Sequence, residues 1–247
     1  MSSVIPGQAD PAPVTGPSSS PVASVSASVI AGNAAIALAA LPGHSGVLAD
    51  LRHDAWGHGA PAVAAELLAV GIDALLVDDG LRSDLRRLGG DAADARGSAP
   101  LDLLTLYGLP GGAPGAAPAM RLSGTVLGVK RLRAGEGVSY GYSHRAAVDT
   151  RVALVSGGYA QGVVRGLGNR VSLAIGGATC PIVGRVAMDV CVVDIGDADL
   201  RRGDEAVFFG DPARGEPSLS DWTSATGLSA AEIVTAVGLR AAREAVA

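Results

Sequence analysis

The chain has 247 residues, a formal net charge of −5, 48% hydrophobic residues and only 3% aromatic ones. That supports one large or two small domains with a core of Ala, Val, Leu and Ile, and the acidic balance argues against nucleic acid or an anionic membrane as the main partner. Two cysteines, Cys180 and Cys191, with no Cys-x-x-Cys pair leave no framework for a metal site or a disulfide scaffold. Lys130 is the only lysine, the other basic residues being arginines. Any chemistry that needs a lysine amine must therefore use Lys130 or do without.

In chain order, residues 1–21 have no basic n-region and no continuous apolar run. They read as a disordered Pro/Ser/Ala leader rather than a signal peptide. Residues 22–41 are weakly apolar but broken by Ser24, Ser26, Ser28, Gly32 and Asn33, so no membrane span is expected and the cytoplasm is the default compartment. Ala31–Leu41 predicts a helix stopped by Pro42-Gly43. Val47–Leu51 predicts a short strand, and Pro61–Val70 a helix closed by Gly71. Ala74–Val77 reads as a buried strand and Leu81–Leu88 as a helix. Strand, helix, strand, helix opens an α/β unit with a parallel sheet. Residues 89–119 interrupt that rhythm with Gly/Ala/Pro linkers around one apolar run, 101–109. From Met120 the pattern turns to β: Leu122–Leu132, Arg151–Val155, Val171–Ile175, Val190–Ile195 and Glu205–Phe209 are rich in Val and Ile and predict a β domain or small barrel. Ser229 with Glu232 forms a capping box that opens a closing helix.

Four short motifs carry candidate chemistry. Tyr140, in a glycine-flanked turn, can project its phenol into a cleft as an acid or base, and equally reads as a tyrosine packing on the β domain. Tyr159 lies in a Gly-rich loop of the kind that approaches phosphate, or simply turns. Met188 and Asp189 sit at a strand-to-strand corner, as core and turn residues on the plainer reading. Trp56-Gly57-His58-Gly59 follows a strand and opens a helix, where backbone amides could face an anion; His58 reads as structural and His144 as exposed.

In this order the motifs resemble the alanine racemase family, pyridoxal-phosphate enzymes that interconvert L- and D-alanine. The resemblance rests on residues 119–146 (AMRLSGTVLGVKRLRAGEGVSYGYSHRA), 154–165 (LVSGGYAQGVVR), 180–189 (CPIVGRVAMD) and 203–210 (GDEAVFFG). It covers about residues 119–237, the family's C-terminal β domain. More faintly, residues 47–77 resemble the second strand and helix of the family's barrel, and 101–109 the end of its last barrel strand. An eight-fold barrel takes roughly 200–250 residues, yet only residues 78–100 separate those two pieces. The fold implied is a truncated, open remnant of a (β/α)8 barrel over 22–118, linker included, followed by a mostly antiparallel β domain over 119–247.

The resemblance also implies site residues. Tyr140 matches the family's tyrosine base, which works in the partner subunit's active site, while a barrel lysine serves the other face of the substrate. Arg52 stands at that lysine position, and an arginine stays protonated and cannot form the covalent link to the cofactor. Trp56 replaces a tyrosine that touches the cofactor phosphate. Tyr159 matches the tyrosine of a Gly-Tyr-Ala-Asp-Gly loop, with Gln161 in place of the aspartate. Met188 and Asp189 match a corner that helps hold the substrate carboxylate. A further phosphate-binding tyrosine has no counterpart in 237–243. Lys130 lies in a strand and reads as a surface residue. Pyridoxal phosphate is thus the implied cofactor, without the residue that would bind it covalently, and no metal is implied. Three readings stay open: a racemase that still acts on a small amino acid, a non-catalytic partner docking its β domain on a full-length racemase, and a decayed chain. Arg52 and the short barrel weigh against the first, and self-association is expected to be weak.

Overall fold

The chain is described from a computed structural model over residues 20–41, 46–72, 74–87, 91–92 and 99–246. Most of the leader, the Pro42-Gly43 stop and much of the linker between 88 and 98 lie outside the described residues.

Val22–Ser26 forms β1, with Ala23 and Val25 turned inward, and Ser26 caps α1 (Ala27–Ala39) by accepting from the Val29 amide. Then follow β2 (Val47–Asp50), α2 (Arg52–Trp56), α3 (Ala60–Ala69), β3 (Ala74–Leu76), α4 (Arg82–Arg87), β4 (Asp91–Ala92) and β5 (Ala99–Pro100). The four strands β2–β5 make a parallel sheet in the order β4-β3-β2-β5, and it does not close. This is the open barrel remnant that the sequence implies. The apolar run 101–109, expected at the end of a strand, is instead centred on the helical turn α5 (Leu103–Leu106). Asp102 decides this, because its carboxylate accepts from the Leu104 amide and the Thr105 hydroxyl and so nucleates a turn.

The β-rich half comprises β6 (Met120–Leu132), β7 (Gly137–Val138), β8 (His144–Arg145), β9 (Thr150–Ser156), β10 (Ser172–Ile175), β11 (Ala178–Pro181), β12 (Val190–Asp194) and β13 (Glu205–Phe209). It ends with α6 (Leu219–Thr226), α7 (Ala230–Gly238) and β14 (Ala242–Val246). The main sheet runs β11-β10-β13-β6-β1-β14, and β9 bridges β6 to β12. Within it β1 is antiparallel to β6 and parallel to β14. Neither β1 nor β14 is legible as a strand in the sequence: β1 is short and rich in Ser and Ala, and every residue of β14 is exposed, so no alternation marks it. His144, expected to be exposed, is half-buried in β8 opposite Val138.

Alternation on β6 and β12, with runs of buried residues on β9 and β13, feeds an aliphatic core closed by aromatic edges, with Trp222 of α6 edge-on to Phe208 and Phe209. Asn33, buried on α1, ties that helix to the connector. Its Nδ2 donates to Leu106 O at 3.1 Å and Ala117 O at 2.7 Å, and its Oδ1 accepts from the Ala117 amide at 2.9 Å. Near it, His58 stacks on Tyr107 with ring centroids 4.1 Å apart and planes 11° apart. Both rings are buried, and neither His58 Nε2 nor Tyr107 Oη has a hydrogen-bond partner. His58 Nδ1 lies 3.0 Å from Ala55 O, an acceptor, so the proton sits on Nδ1.

Helix α7 packs against two glycine turns. A Cβ on Gly57 would stand 3.0 Å from Gly238 Cα and Val234 O, and one on Gly238 would stand 2.0 Å from Gly57 O. A Cβ on Gly162 would stand 2.8 Å from Ala236 O and Val237 Cα. At 100° per residue, positions 234, 235 and 238 share one side of the helix, and 236 and 237 lie on the other.

Two stability predictions follow from these contacts. Gly238→Ala forces α7 away from the Gly57 turn and should destabilise the fold by about 1–3 kcal/mol, whereas Gly80→Ala, with nothing near its Cβ, should leave urea midpoints unchanged. Burial lowers the His58 pKa from 6.5 to about 4. As pH falls from 6.5, the unfolded chain takes up a proton that the folded chain refuses, so stability is full above that value and declines toward pH 4. The loss is on the order of 3 kcal/mol across that window. His58→Phe keeps the stack and should flatten this part of the acid limb, read as the difference between the two pH–stability curves.

Candidate functional site

The residues singled out by the sequence fall into two groups on opposite faces of α7. The first surrounds the end of β2. Arg52 Nε donates to both oxygens of Asp50, at 2.9 and 3.1 Å, with half of its side chain exposed. These bonds hold the Asp50 carboxyl below the usual carboxylate range and raise the Arg52 pKa still further. His53, Asp54, Ala55 and Trp56 then take positive φ of 57°, 55°, 54° and 51°, a left-handed turn of non-glycine residues. Such a turn costs roughly 1–2 kcal/mol per residue, and two carboxylates hold it. Asp78 Oδ2 accepts from the His53 amide at 2.9 Å, and Asp54 Oδ1 accepts from the Ala60 amide at 2.8 Å. Arg243 Nη1 closes the arrangement by donating to Asp54 Oδ2 at 2.6 Å and Gly57 O at 3.0 Å. The anion at the start of α3 is thus the chain's own Asp54. Trp56 packs at 5.7 Å from the Tyr107 ring.

The second group lies on the β-rich half. Ser139, at φ 65°, turns the chain after β7 and donates to Arg185 O at 2.6 Å, which seats the Tyr140 turn on the 184–185 corner. Tyr140 itself is 78% exposed. Three residues on from that corner come Met188 and Asp189, both exposed. The Tyr159 loop is zipped to them: the Gly157 amide donates to Asp189 O at 2.8 Å, Tyr159 to Ala187 O at 3.0 Å and Ala160 to Met188 O at 2.9 Å. Arg165 lies over the Tyr159 ring at 5.7 Å. Beside the Tyr140 turn, a shallow cleft of about 570 Å³ is lined by Ser143, Asn169 and three arginines, Arg165, Arg170 and Arg185. It gives an acidic chain one locally positive face. A larger cleft of about 790 Å³ beneath α6 takes no lining residue from Tyr140, Tyr159, Met188, Asp189, Arg52 or Trp56.

The fold zips the Tyr159 loop to the Met188–Asp189 corner and seats the Tyr140 turn on Arg185 of the same segment, while Arg52 and Trp56 have their own partners at the end of β2. Sequence reasoning passed over Asp54, Asp78 and Arg243. The pairing of Arg243 with Asp54 spans most of the chain and has no local signal, whereas Asp54 two residues after Arg52 could have been read as a helix-start acceptor.

Known proteins resemble this chain in sequence and in fold. Residues 119–245 match the family model for the alanine racemase C-terminal domain. The chain is 42% identical to an alanine racemase of Thermobifida fusca over 193 residues, 74% of this chain and 52% of the relative. It is 42% identical to that of Mycobacterium tuberculosis over 169 residues, 64% of this chain and 44% of the relative. It spans about half the length of these curated relatives. The fold is similar to the solved alanine racemase of Streptomyces coelicolor, with a TM-score of 0.79 at 21% identity over 92% of this chain and 98% of that one. An open parallel remnant joined to a mostly antiparallel sheet, with this domain match covering its C-terminal half, places the chain in the alanine racemase family.

Proposed function

We propose that this chain is a catalytically incomplete family member that keeps the surface its β domain offers to a second subunit and lacks independent racemisation. One observation carries the reading: exposed Tyr140, Met188 and Asp189 beside the half-buried Tyr159 loop coexist with an Arg52 held by Asp50 on the opposite side of α7. Tyr140 is thereby available to another chain's site rather than to its own β2 end.

Pyridoxal phosphate supplies electron withdrawal in racemisation when bound through a lysine amine, and the residues here do not fit it. Arg52 has no nucleophilic amine. The Trp56 ring rests on Tyr107 and offers no phenolic hydroxyl. Lys130 is exposed on β6 opposite Val152.

In this reading the chain divides into a leader (1–21), a barrel remnant with its linker (22–118) and a docking β domain (119–247). The partner is a full-length racemase, to whose site Tyr140 lends a phenol and Met188–Asp189 a contact for the carboxylate of a small amino acid. A homodimer would give each β domain only a four-stranded fragment to cover, against the roughly 1,200–2,000 Å² that a specific interface buries, so self-association is proposed to be weak. The cytoplasm is the proposed compartment, and no helix among the described residues is long and apolar enough to cross a membrane. The open β4-β3-β2-β5 sheet favours a second reading, a decayed chain without a partner.

Incubation of the purified chain with pyridoxal phosphate should leave no stoichiometric visible absorbance after dialysis. A band that persists, and disappears in Lys130→Arg, would overturn the cofactor part. Arg52→Lys should not restore racemisation, because the contacts that orient the ring are absent as well. Mixed with a racemase whose matching tyrosine is changed to Phe, the wild-type chain should co-purify and restore activity, and a Tyr140→Phe chain should co-purify without restoring it. No complex at micromolar concentrations would leave the decayed-chain reading.

A further inference from the structure

The sequence departs from its family at Gln161, where the resembling loop carries an aspartate, and the structure gives that residue a specific place. Gln161 Oε1 accepts from the Gly158 amide at 3.0 Å, and its Nε2 donates to Asp189 Oδ1 at 2.9 Å. One side chain thus closes its own loop and grips the carboxylate of the neighbouring corner. The two segments already lie as close as backbone permits, since a Cβ on Gly158 would stand 2.2 Å from Met188 O. Three amides of residues 157–160 bond to carbonyls of residues 187–189. The Gln161 amide adds a side-chain tie that acts directly on the Asp189 carboxylate.

The amide does both jobs without carrying charge. A carboxylate at 161 could accept from the Gly158 amide but would meet Asp189 as a like charge. A hydrocarbon of the same length could do neither. Asp189 is bonded to Gln161, and Arg165 lies over the ring of Tyr159 in the same loop. Gln161 itself does not titrate.

We propose that Gln161 is a positioning residue. It orients the Met188–Asp189 corner against the Tyr159 loop, so that the β domain presents one fixed geometry to the carboxylate of a small amino-acid substrate held in a partner's barrel. The inference rests on the docking reading above. It assigns the orientation to a neutral bridge that carries no titratable group of its own.

Two near-isosteric variants test it, with two readouts. In the isolated chain, amide exchange at Gly157, Gly158 and Ala160 reports the clasp without any partner. Gln161→Met should speed exchange about five-fold both near pH 5 and near pH 8, the factor carried by one hydrogen bond of ordinary net strength. Gln161→Glu should do so near pH 8 and recover near pH 5, where one of the two carboxyls takes a proton. With the Tyr→Phe racemase, both variants should raise KM for alanine about five-fold near pH 8 while kcat stays within about two-fold, because Tyr140 is untouched. Exchange indistinguishable from wild type in both variants would overturn the proposal. So would faster exchange with an unchanged KM in an assay where the wild-type chain rescues, since the clasp would then be structural only. If the wild-type chain fails to rescue, the docking reading falls separately, and the exchange experiment still decides whether Gln161 holds the corner.

Discussion

The close approach of α7 to two glycine turns is the constraint on which both candidate groups depend. Gly57 meets Gly238 where neither tolerates a Cβ, and Gly162 meets Ala236 and Val237 on the other side of the helix. Backbone-to-backbone contact of this kind has almost no slack, because no side chain can change rotamer to absorb a shift. The position of α7 therefore fixes the left-handed turn after β2 and the Tyr159 loop at once. The capping box that starts α7, with Ser229 and Glu232 each satisfying the other's backbone amide, sets where that small-residue face begins.

On the β2 side, electrostatics has turned inward. Asp50 binds Arg52, Asp54 caps α3 and binds Arg243, and Asp78 accepts from the strained turn. Each charge that could have faced a ligand is satisfied within the chain. Exposed ion pairs of this kind contribute little each. Here their effect is geometric: they hold non-glycine residues at positive φ, a conformation that persists only when its surroundings over-determine it. The β-domain side is the reverse, with exposed Tyr140, Tyr142 and Met188 and an arginine-lined cleft.

The shortened barrel explains why the two halves have different fates. The antiparallel half pairs most of its strands within one sheet and closes its core with Trp222, Phe208 and Phe209. The parallel half keeps four strands, and an open parallel sheet leaves edges that a closed barrel would remove. Its β5 edge carries Pro100, which cannot donate to a ladder. Asn33 ties α1 to the 106–117 segment that leads into β6, through three hydrogen bonds that a purely apolar helix face could not make.

By itself the sequence determined the alternation of α1, β2, α3, β3 and α4, the strands β6, β9, β10, β12 and β13, whose Val/Ile runs are strictly local signals, and the start of α7, whose capping box spans four residues. It also determined that Arg52 cannot serve as a nucleophilic amine, since that follows from the guanidinium alone. Tertiary structure decided the rest. β1 and β14 become strands only because β6 and each other supply the missing hydrogen bonds, α5 forms where an apolar run resembled a strand, and the α2 turn is left-handed because distant groups hold it. Arg243 reaches Asp54 across 189 positions and Gln161 reaches Asp189 across 28. No periodicity records such meetings, because they depend on how sheets and helices stack and not on the order of neighbouring side chains.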